Sequence, residues 1–508
     1  MSIKTTKTSQ RLAIGLFILA SLYSFFLFIN QWPFQPIRLW SAAEHYYFAQ
    51  QVASGGVLYR DFAYNKTPLT IYIGSIFFLI NKHQLIPSVV QIRFLFWLLI
   101  AASGWPIYIL GKEILRKEFF SWIGIFIFLS FPFMFHHIAG EPDWHVLMTT
   151  LGLFSFAFAI KKNWMISGVF AALAFFSWQP GGAFLISVIT AQLYRNRPQS
   201  WRNIGMVLAG FLIVTLLFIV YFVARGNLQD FIKFVFMSTQ NNIKTDFFNG
   251  MHLIPKYIRL CYAPYKYIIA TSLLGLFVHG VRFLTPRRAK SLTSADSLLV
   301  SITALTILYS FIDFQHCDDF LVFLPWISLY SVYLIDRFFL WKFKTISKVM
   351  GLLLLVVVVY PLATSIPNPL RNWDLLTHKP LTAALDQQQS QFKQKLRALG
   401  LKPSDDVVCI ETALPCLLLN KTNYHNKYVY MLHDYYIDFI KDHEPETEDI
   451  FFDTINSRKA AYVFTWNTIW HKRGQKIWGQ RLKRLLEKKY DFHEYGRLWI
   501  YVRKNEER

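Results

Sequence analysis

Negative charge is scarce in this chain: 31 Asp and Glu stand against 53 Lys and Arg, a formal net charge of +22. Cysteine is scarcer, with 4 in 508 residues. Cys261, Cys317, Cys409 and Cys416 lack the paired spacing of a zinc finger or ribbon, which excludes a structural cysteine-zinc site. Cys409 and Cys416 are near enough to pair in an oxidising compartment; free thiols are expected at all four positions. No glycine-rich fingerprint follows a strand, so a Rossmann-type site for a soluble nucleotide is not expected. Internal repeats and low-complexity tracts are absent, which removes solenoids and long linkers. A cleavable signal peptide is not expected either. The apolar run from Leu12 to Ile29 is too long for a signal core and no small-residue cleavage site follows, so it reads as a retained first span.

What the chain has is apolar and aromatic mass. Hydrophobic residues make up 54% and aromatics 18%, more than a water-soluble core needs. Apolar runs of roughly 20 residues recur, and each is a candidate membrane span. Read by run length, the spans are 12–30, 90–110, 119–136, 144–160, 164–178, 180–194, 203–224, 265–283, 296–313, 319–336 and 346–366. The expectation is a polytopic α-helical membrane protein of about 11 spans. The surplus of basic residues falls in short loops between runs: Lys112/Arg116/Lys117, Lys161/Lys162, Arg195/Arg197/Arg202, Arg287/Arg288/Lys290 and Arg337/Lys342/Lys344/Lys348. Basic inner loops follow the positive-inside rule, so the charge is assigned to topology and not to nucleic acid. The alternate links, His137–Asp143, Gln179–Gly182 and Gln315–Asp318, carry no Lys or Arg. This pattern puts the N-terminus inside and the C-terminus outside, provided Pro68–Ile80 lies along the outer interface and does not cross.

Two regions fall on the outer side by this reading. One is the loop 225–264. The other is the tail 367–508, a small extracytoplasmic α/β domain behind a transmembrane domain of residues 1–366. Leu381–Leu399 has helical spacing and stops at Gly400, and Trp478–Lys489 is a second helix. Val407–Ile410, Ala461–Thr465 and Leu498–Val502 read as strands.

Reactive groups gather in three outer segments. The loop 31–89 holds Glu44 and His45, then Arg60, Asp61 and Lys66. The second segment runs from His136 through Glu141-Pro-Asp143 to His145. The third runs from Asp313 through His316 to Asp319. Carboxylates at a bilayer edge are expected to face a water-filled cavity. Plainer roles stay open for each. Asp143 suits a helix N-cap, Asp318 and Asp319 suit a helix dipole, and Lys66 can snorkel. Arg93 serves equally as an interface anchor or a phosphate ligand. Tyr46, Tyr47, Tyr59 and Tyr64 fit an interfacial belt or a sugar platform.

The sequence Glu44-His-Tyr-Tyr, Ser54-Gly-Gly, Tyr59-Arg-Asp and Asn65-Lys-Thr-Pro-Leu, followed by Arg93 and Glu141-Pro-Asp143, resembles the GT-C glycosyltransferases. It is most similar to the bacterial branch related to protein mannosyltransferases and the lipid A aminoarabinose transferase. The resemblance covers roughly residues 10–195. It departs from the pattern in three places: Glu44 stands where Asp is common, Thr67-Pro68 replaces Pro-Pro, and Gln179 stands where relatives carry Lys.

The resemblance implies a sugar donor on a polyprenyl phosphate, a glycan, lipid or protein acceptor, and inverting displacement at the outer face of a bacterial inner membrane. Glu44, Asp143 and Glu141 are then the catalytic carboxylates, with Glu44 favoured as base. Lys66 is the first donor-phosphate ligand, with Arg60, Arg93 and His316 as helpers. His45, Tyr46, Tyr59 and Tyr64 line the substrate. No cofactor is required, and a divalent metal on Glu44, His137 and Asp143 stays open. A flippase of lipid-linked sugars and a polysaccharide ligase or polymerase are the rival readings.

Overall fold

The computed structural model describes residues 7–504, apart from 39–40, 116, 196–197, 238–246, 286–292, 313, 315–316, 340–344, 365–379, 424–426, 430–439, 442–443, 445, 458–459 and 467–476. The chain forms a helical membrane body followed by a small sheet domain. Among the described residues, eleven α-helices precede residue 225: α1 (Lys7–Asn30), α2 (Ser41–Ala53), α3 (Leu69–Ile80), α4 (Leu85–Ala102), α5 (Gly104–Ile114), α6 (Glu118–Leu129), α7 (Pro132–Ile138), α8 (Trp144–Ile160), α9 (Trp164–Ser177), α10 (Gly182–Arg195) and α11 (Pro198–Ala224). Further helices follow at Lys266–Leu284, Ser294–Ile312, Leu324–Phe339 and Ile346–Thr364.

It is a multi-pass membrane protein. Among the described residues, 6 helices are long and apolar enough to cross a bilayer, or 7 if the bent pair α6 and α7 is one span. The expected eleven spans are therefore not recovered. Two of them, α9 and α10, have only 14 residues each, short of the roughly 17–25 that a crossing uses, while α8 with 17 stands at the lower end of that range. The expected span 119–136 is broken, because α6 and α7 meet at 50°. Pro132 opens α7, where a proline ends the preceding ladder. The segment after Pro68 is helical, as α3.

Close packing explains why short helices hold together. α9 and α11 touch backbone to backbone. A Cβ on Gly168 would lie 1.9 Å from the Val207 carbonyl oxygen, and one on Gly210 would lie 2.0 Å from that of Met165. Only glycine permits this approach, the usual device where lipid supplies no hydrophobic drive between helices.

In the tail, β1 (Val407–Cys409), β2 (Tyr462–Trp466), β3 (Tyr490–Tyr495) and β4 (Leu498–Arg503) form one sheet in the order β1-β2-β4-β3. β1 and β2 are parallel, while β4 pairs antiparallel with β2 and β3. Helix Ala383–Ala398 buries Leu385, Phe392 and Leu396 and ends at Gly400, whose φ of +84° suits a residue without Cβ. The free-thiol expectation is corrected: Cys261 pairs with Cys317, and Cys409 with Cys416. Cys261 and Cys317 are 56 residues apart, a separation in which sequence gives no pairing signal.

The tail domain grips the first loop. Gln388 donates to the Ile37 carbonyl (2.9 Å) and accepts from its N–H (2.8 Å). The Asn423 N–H donates to the Tyr47 hydroxyl at 2.8 Å, and the Ala63 N–H donates to the Lys427 carbonyl at 3.0 Å. Lys233 and Glu444 pair at 2.9 Å. These contacts set where the Lys66 segment lies.

Candidate active site

The site begins at the link between α7 and α8. Asp143 caps α8, its Oδ1 accepting from the Val146 N–H at 2.9 Å. The capping role proposed for it is thus real, but it is not the whole role. The same carboxylate accepts from His145 Nδ1 at 3.2 Å and from His137 Nε2 in a closer contact. His137 also lies 3.2 Å from Glu141, and its Nδ1 lies 3.5 Å from Asp318. On the far side, His145 Nε2 lies 3.1 Å from Asp319. Each imidazole therefore has carboxylate oxygens at both ring nitrogens, the setting that suits a doubly protonated ring. Burial alone would raise the Asp143 carboxyl, but His145 and His137 outweigh it and hold it well below the usual carboxylate range.

Asp318 and Asp319 open the 3₁₀ turn Cys317–Phe323. The Cys261–Cys317 disulfide and the hydrogen bond from the Tyr262 hydroxyl to the Cys317 carbonyl (3.2 Å) fasten that turn to the helix Phe247–Cys261. The acidic pair is thus anchored one residue from a covalent cross-link.

Lys66 arrives from the other side. Its Nζ sits 2.8 Å from the centroid of Trp144, the first residue of α8. Enclosure by protein lowers its pKa, and Glu44, Asp143, Glu141 and Asp319 oppose the shift; the balance leaves it pushed down to about 8. Tyr64 is buried beside them. Its hydroxyl has no hydrogen-bond partner among the described residues, and burial followed by the charges of Glu44 and Asp143 pushes its pKa well up. Trp144 Nε1 is likewise buried without a partner. His45 packs on Trp144 with ring centroids 4.6 Å apart. Glu44 is half-buried on α2.

Several residues named from the sequence lie elsewhere or act otherwise. Arg93 is fully buried, donating to the Tyr46 hydroxyl (3.2 Å) and the carbonyls of Pro33 (2.8 Å), Gln35 (2.7 Å) and Gly140 (3.1 Å). It straps the first loop to the α7–α8 link with four of its five N–H donors and is buried there, so it is not carried forward as a phosphate ligand. Arg60 is exposed and forks onto its neighbour Asp61 at 2.8 and 3.1 Å. His136 turns to Arg38 (2.7 Å) and Gln31 (3.2 Å). His316 lies outside the described residues. The tyrosines form no interfacial belt: Tyr46, Tyr47, Tyr59 and Tyr64 are all buried. Tyr59, at φ +72°, donates its hydroxyl to the Lys66 carbonyl at 2.8 Å.

Among the described residues no group of three or more His, Cys, Asp or Glu is arranged to hold a metal ion. His137 lies between Glu141 and Asp143 and takes the oxygens a cation would need, so a divalent ion on Glu44, His137 and Asp143 does not fit this arrangement.

No protein-family model and no curated protein sequence matches the chain. Solved structures do. ArnT from Cupriavidus metallidurans bound to undecaprenyl phosphate aligns with a TM-score of 0.62 at 10% identity, over 97% of this chain and 99% of that one. The fold is GT-C. The oligosaccharyltransferase AglB from Archaeoglobus fulgidus, in complex with an inhibitory peptide and a dolichol-phosphate, aligns at 0.55 and 12% identity, over 98% of this chain and 75% of that one. A complex of the Archaeoglobus fulgidus oligosaccharyltransferase with Zn and sulfate aligns at 0.51 and 14% identity, over 96% and 73%. The GT-C fold therefore spans nearly the whole chain, beyond the 10–195 region that carries the sequence pattern. One contributor to the site gave no sequence signal as such: Trp144, which follows the acidic turn directly.

Proposed function

We propose that this chain is a membrane glycosyltransferase that moves a sugar from a polyprenyl-phosphate donor to an acceptor hydroxyl or amine. The reading rests on one observation. On a GT-C fold, the Lys66 ammonium and Glu44 meet the network Asp318–His137–Asp143–His145–Asp319 at one place. The acceptor oxygen or nitrogen attacks the anomeric carbon as the bond from that carbon to the phosphate oxygen breaks. The acceptor proton passes to the Glu44 carboxylate, and the bonding pair leaves with the polyprenyl phosphate. Charge grows on that phosphate through the transition state, so a fixed cation beside it lowers the barrier. Lys66 is that cation. Asp143, already engaged by both histidines, is a poorer proton acceptor than Glu44 and serves to hold the network.

The basic loops support an N-terminus in the cytoplasm and a site and tail domain outside it, as in a bacterial inner membrane. The tail and the loop 225–264 are where acceptor choice would lie.

The test is transfer by the full chain in nanodiscs, supplied with a panel of labelled polyprenyl-phosphate sugars and a membrane extract. Label is expected in a non-prenyl product with free polyprenyl phosphate released, and Glu44→Gln is expected to lower kcat by about 10²-fold or more, the usual worth of a general base. Label that stays on the lipid while the lipid crosses vesicle membranes would favour a flippase and overturn the reading.

A further inference from the structure

Gln179 opens the 3₁₀ turn between α9 and α10, directly after Trp178, whose ring centroid lies 4.4 Å from that of His145. Its Nε2 donates to two carbonyl oxygens, that of Asn65 at 3.0 Å and that of Val235 at 3.1 Å. Asn65 immediately precedes Lys66. Val235 belongs to the π-turn Lys233–Met237, whose Lys233 is paired with Glu444 of the tail domain. One amide thus ties the lysine segment to the second long loop. Residues 57–67 are neither a helix nor part of a named strand, and turn bonds within the segment, Val57 with Asp61 and Tyr59 with Phe62, lie at its start, before Ala63. Contacts that fasten it include the Tyr59 hydroxyl on the Lys66 carbonyl, the Asn227 Nδ2 on the Leu58 carbonyl (2.7 Å), the Lys427 carbonyl on the Ala63 N–H, and Gln179. Of these, Gln179 and Tyr59 act within one residue of the ammonium's own backbone.

We propose that Gln179 is a positioning residue for Lys66, using its two-carbonyl hydrogen bond to hold the ammonium over Trp144 and toward the carboxylates. A lysine in this turn could meet a phosphate directly; a glutamine cannot pair with it as a cation. Here the position acts on the donor phosphate through Lys66. The inference rests on the functional reading above for its consequence, but not for its geometry.

The groups facing the ammonium are Glu44 on α2, Glu141 and Asp143 on the α7–α8 link, Trp144 on α8 and Asp319 on the 3₁₀ turn. Freed from Gln179, the lysine segment can swing toward water, and the ammonium regains solvation. Its titration then moves up from about 8 toward the ordinary lysine range.

Two readouts on the full chain in nanodiscs test this. The first is amine acylation of Lys66 against pH, read by peptide mass spectrometry, which needs no substrate. Gln179→Met keeps the length and removes the donor; Gln179→Asn keeps the amide but is one methylene short of the carbonyls. Both are expected to raise the Lys66 midpoint by about one pH unit or more, as lost enclosure requires. The second is the Kd for undecaprenyl phosphate at pH 7, expected to weaken roughly tenfold in both variants and further in Lys66→Met. An unchanged Lys66 midpoint in whichever variant folds overturns the positioning role, whatever Lys66→Met does. If Lys66→Met binds undecaprenyl phosphate like the wild type while the midpoint shifts, the positioning holds and the functional reading fails.

Discussion

Lys66→Met lowers kcat/KM for a polyprenyl-phosphate sugar by about 10²–10³-fold, the typical worth of one preorganised group aimed at developing charge. The loss is this large because, among the described residues, the other cations near the site are already engaged: His137 and His145 are held between carboxylates. Arg93 is bound to four protein oxygens, and Arg60 is exposed and paired with Asp61. The wild type also has a pH signature. Lys66 titrates low, at about 8, so in the free protein the ammonium is the major form at pH 7 and is lost as pH rises through that value. The sign follows: kcat/KM falls on the alkaline side from about pH 8, near tenfold per unit, because kcat/KM reports groups of the free enzyme. A bound phosphate favours the ammonium, so kcat keeps its plateau to higher pH. Lys66→Met removes the alkaline limb altogether. An alkaline limb that survives in Lys66→Met, or a loss under tenfold, contradicts the assignment.

Asp143→Asn has the second large effect. Asn is as good an N-cap as Asp, so the start of α8 is kept. What goes is the negative charge between two imidazoles, and the new amide N–H points a donor at a donor. With His137 and His145 no longer fixed, Asp318 and Asp319 lose their common reference. The expected result, measured near pH 6 where Lys66 stays an ammonium without the Asp143 charge, is a fall in kcat of about 10²-fold with little change in KM for the donor, since Lys66 and its Trp144 seat remain. Steady-state kinetics with a thermal melt separates this from unfolding. A rise in KM with kcat intact would show that Asp143 binds substrate instead.

The membrane body was legible because apolar runs and basic loops are direct products of the bilayer. Its span count is not confirmed, since α9, with 14 residues packed on α11 at Gly168 and Gly210, is short for a crossing helix. In the tail, β1, β2 and β4 are apolar and were readable. β3 was missed because Asp491, His493 and Glu494 make an edge strand look like a loop. At the site, the sequence named the three segments that meet, because ionisable residues near a membrane are few and costly. It could not say which side chains face inward. Arg93, Tyr46 and Tyr59 look like ligands by type, yet they serve as struts through contacts that only tertiary structure supplies. The Cys261–Cys317 link depends on two distant turns and was invisible for the same reason.

The most direct test is a structure of the full chain in nanodiscs with undecaprenyl phosphate. The account predicts the phosphate within hydrogen-bond reach of Lys66 Nζ, on the side of Trp144 that faces Glu44 and Asp143, with the prenyl tail running between membrane helices. A phosphate bound elsewhere, with Lys66 still seated on Trp144 and the acidic network empty, would contradict it.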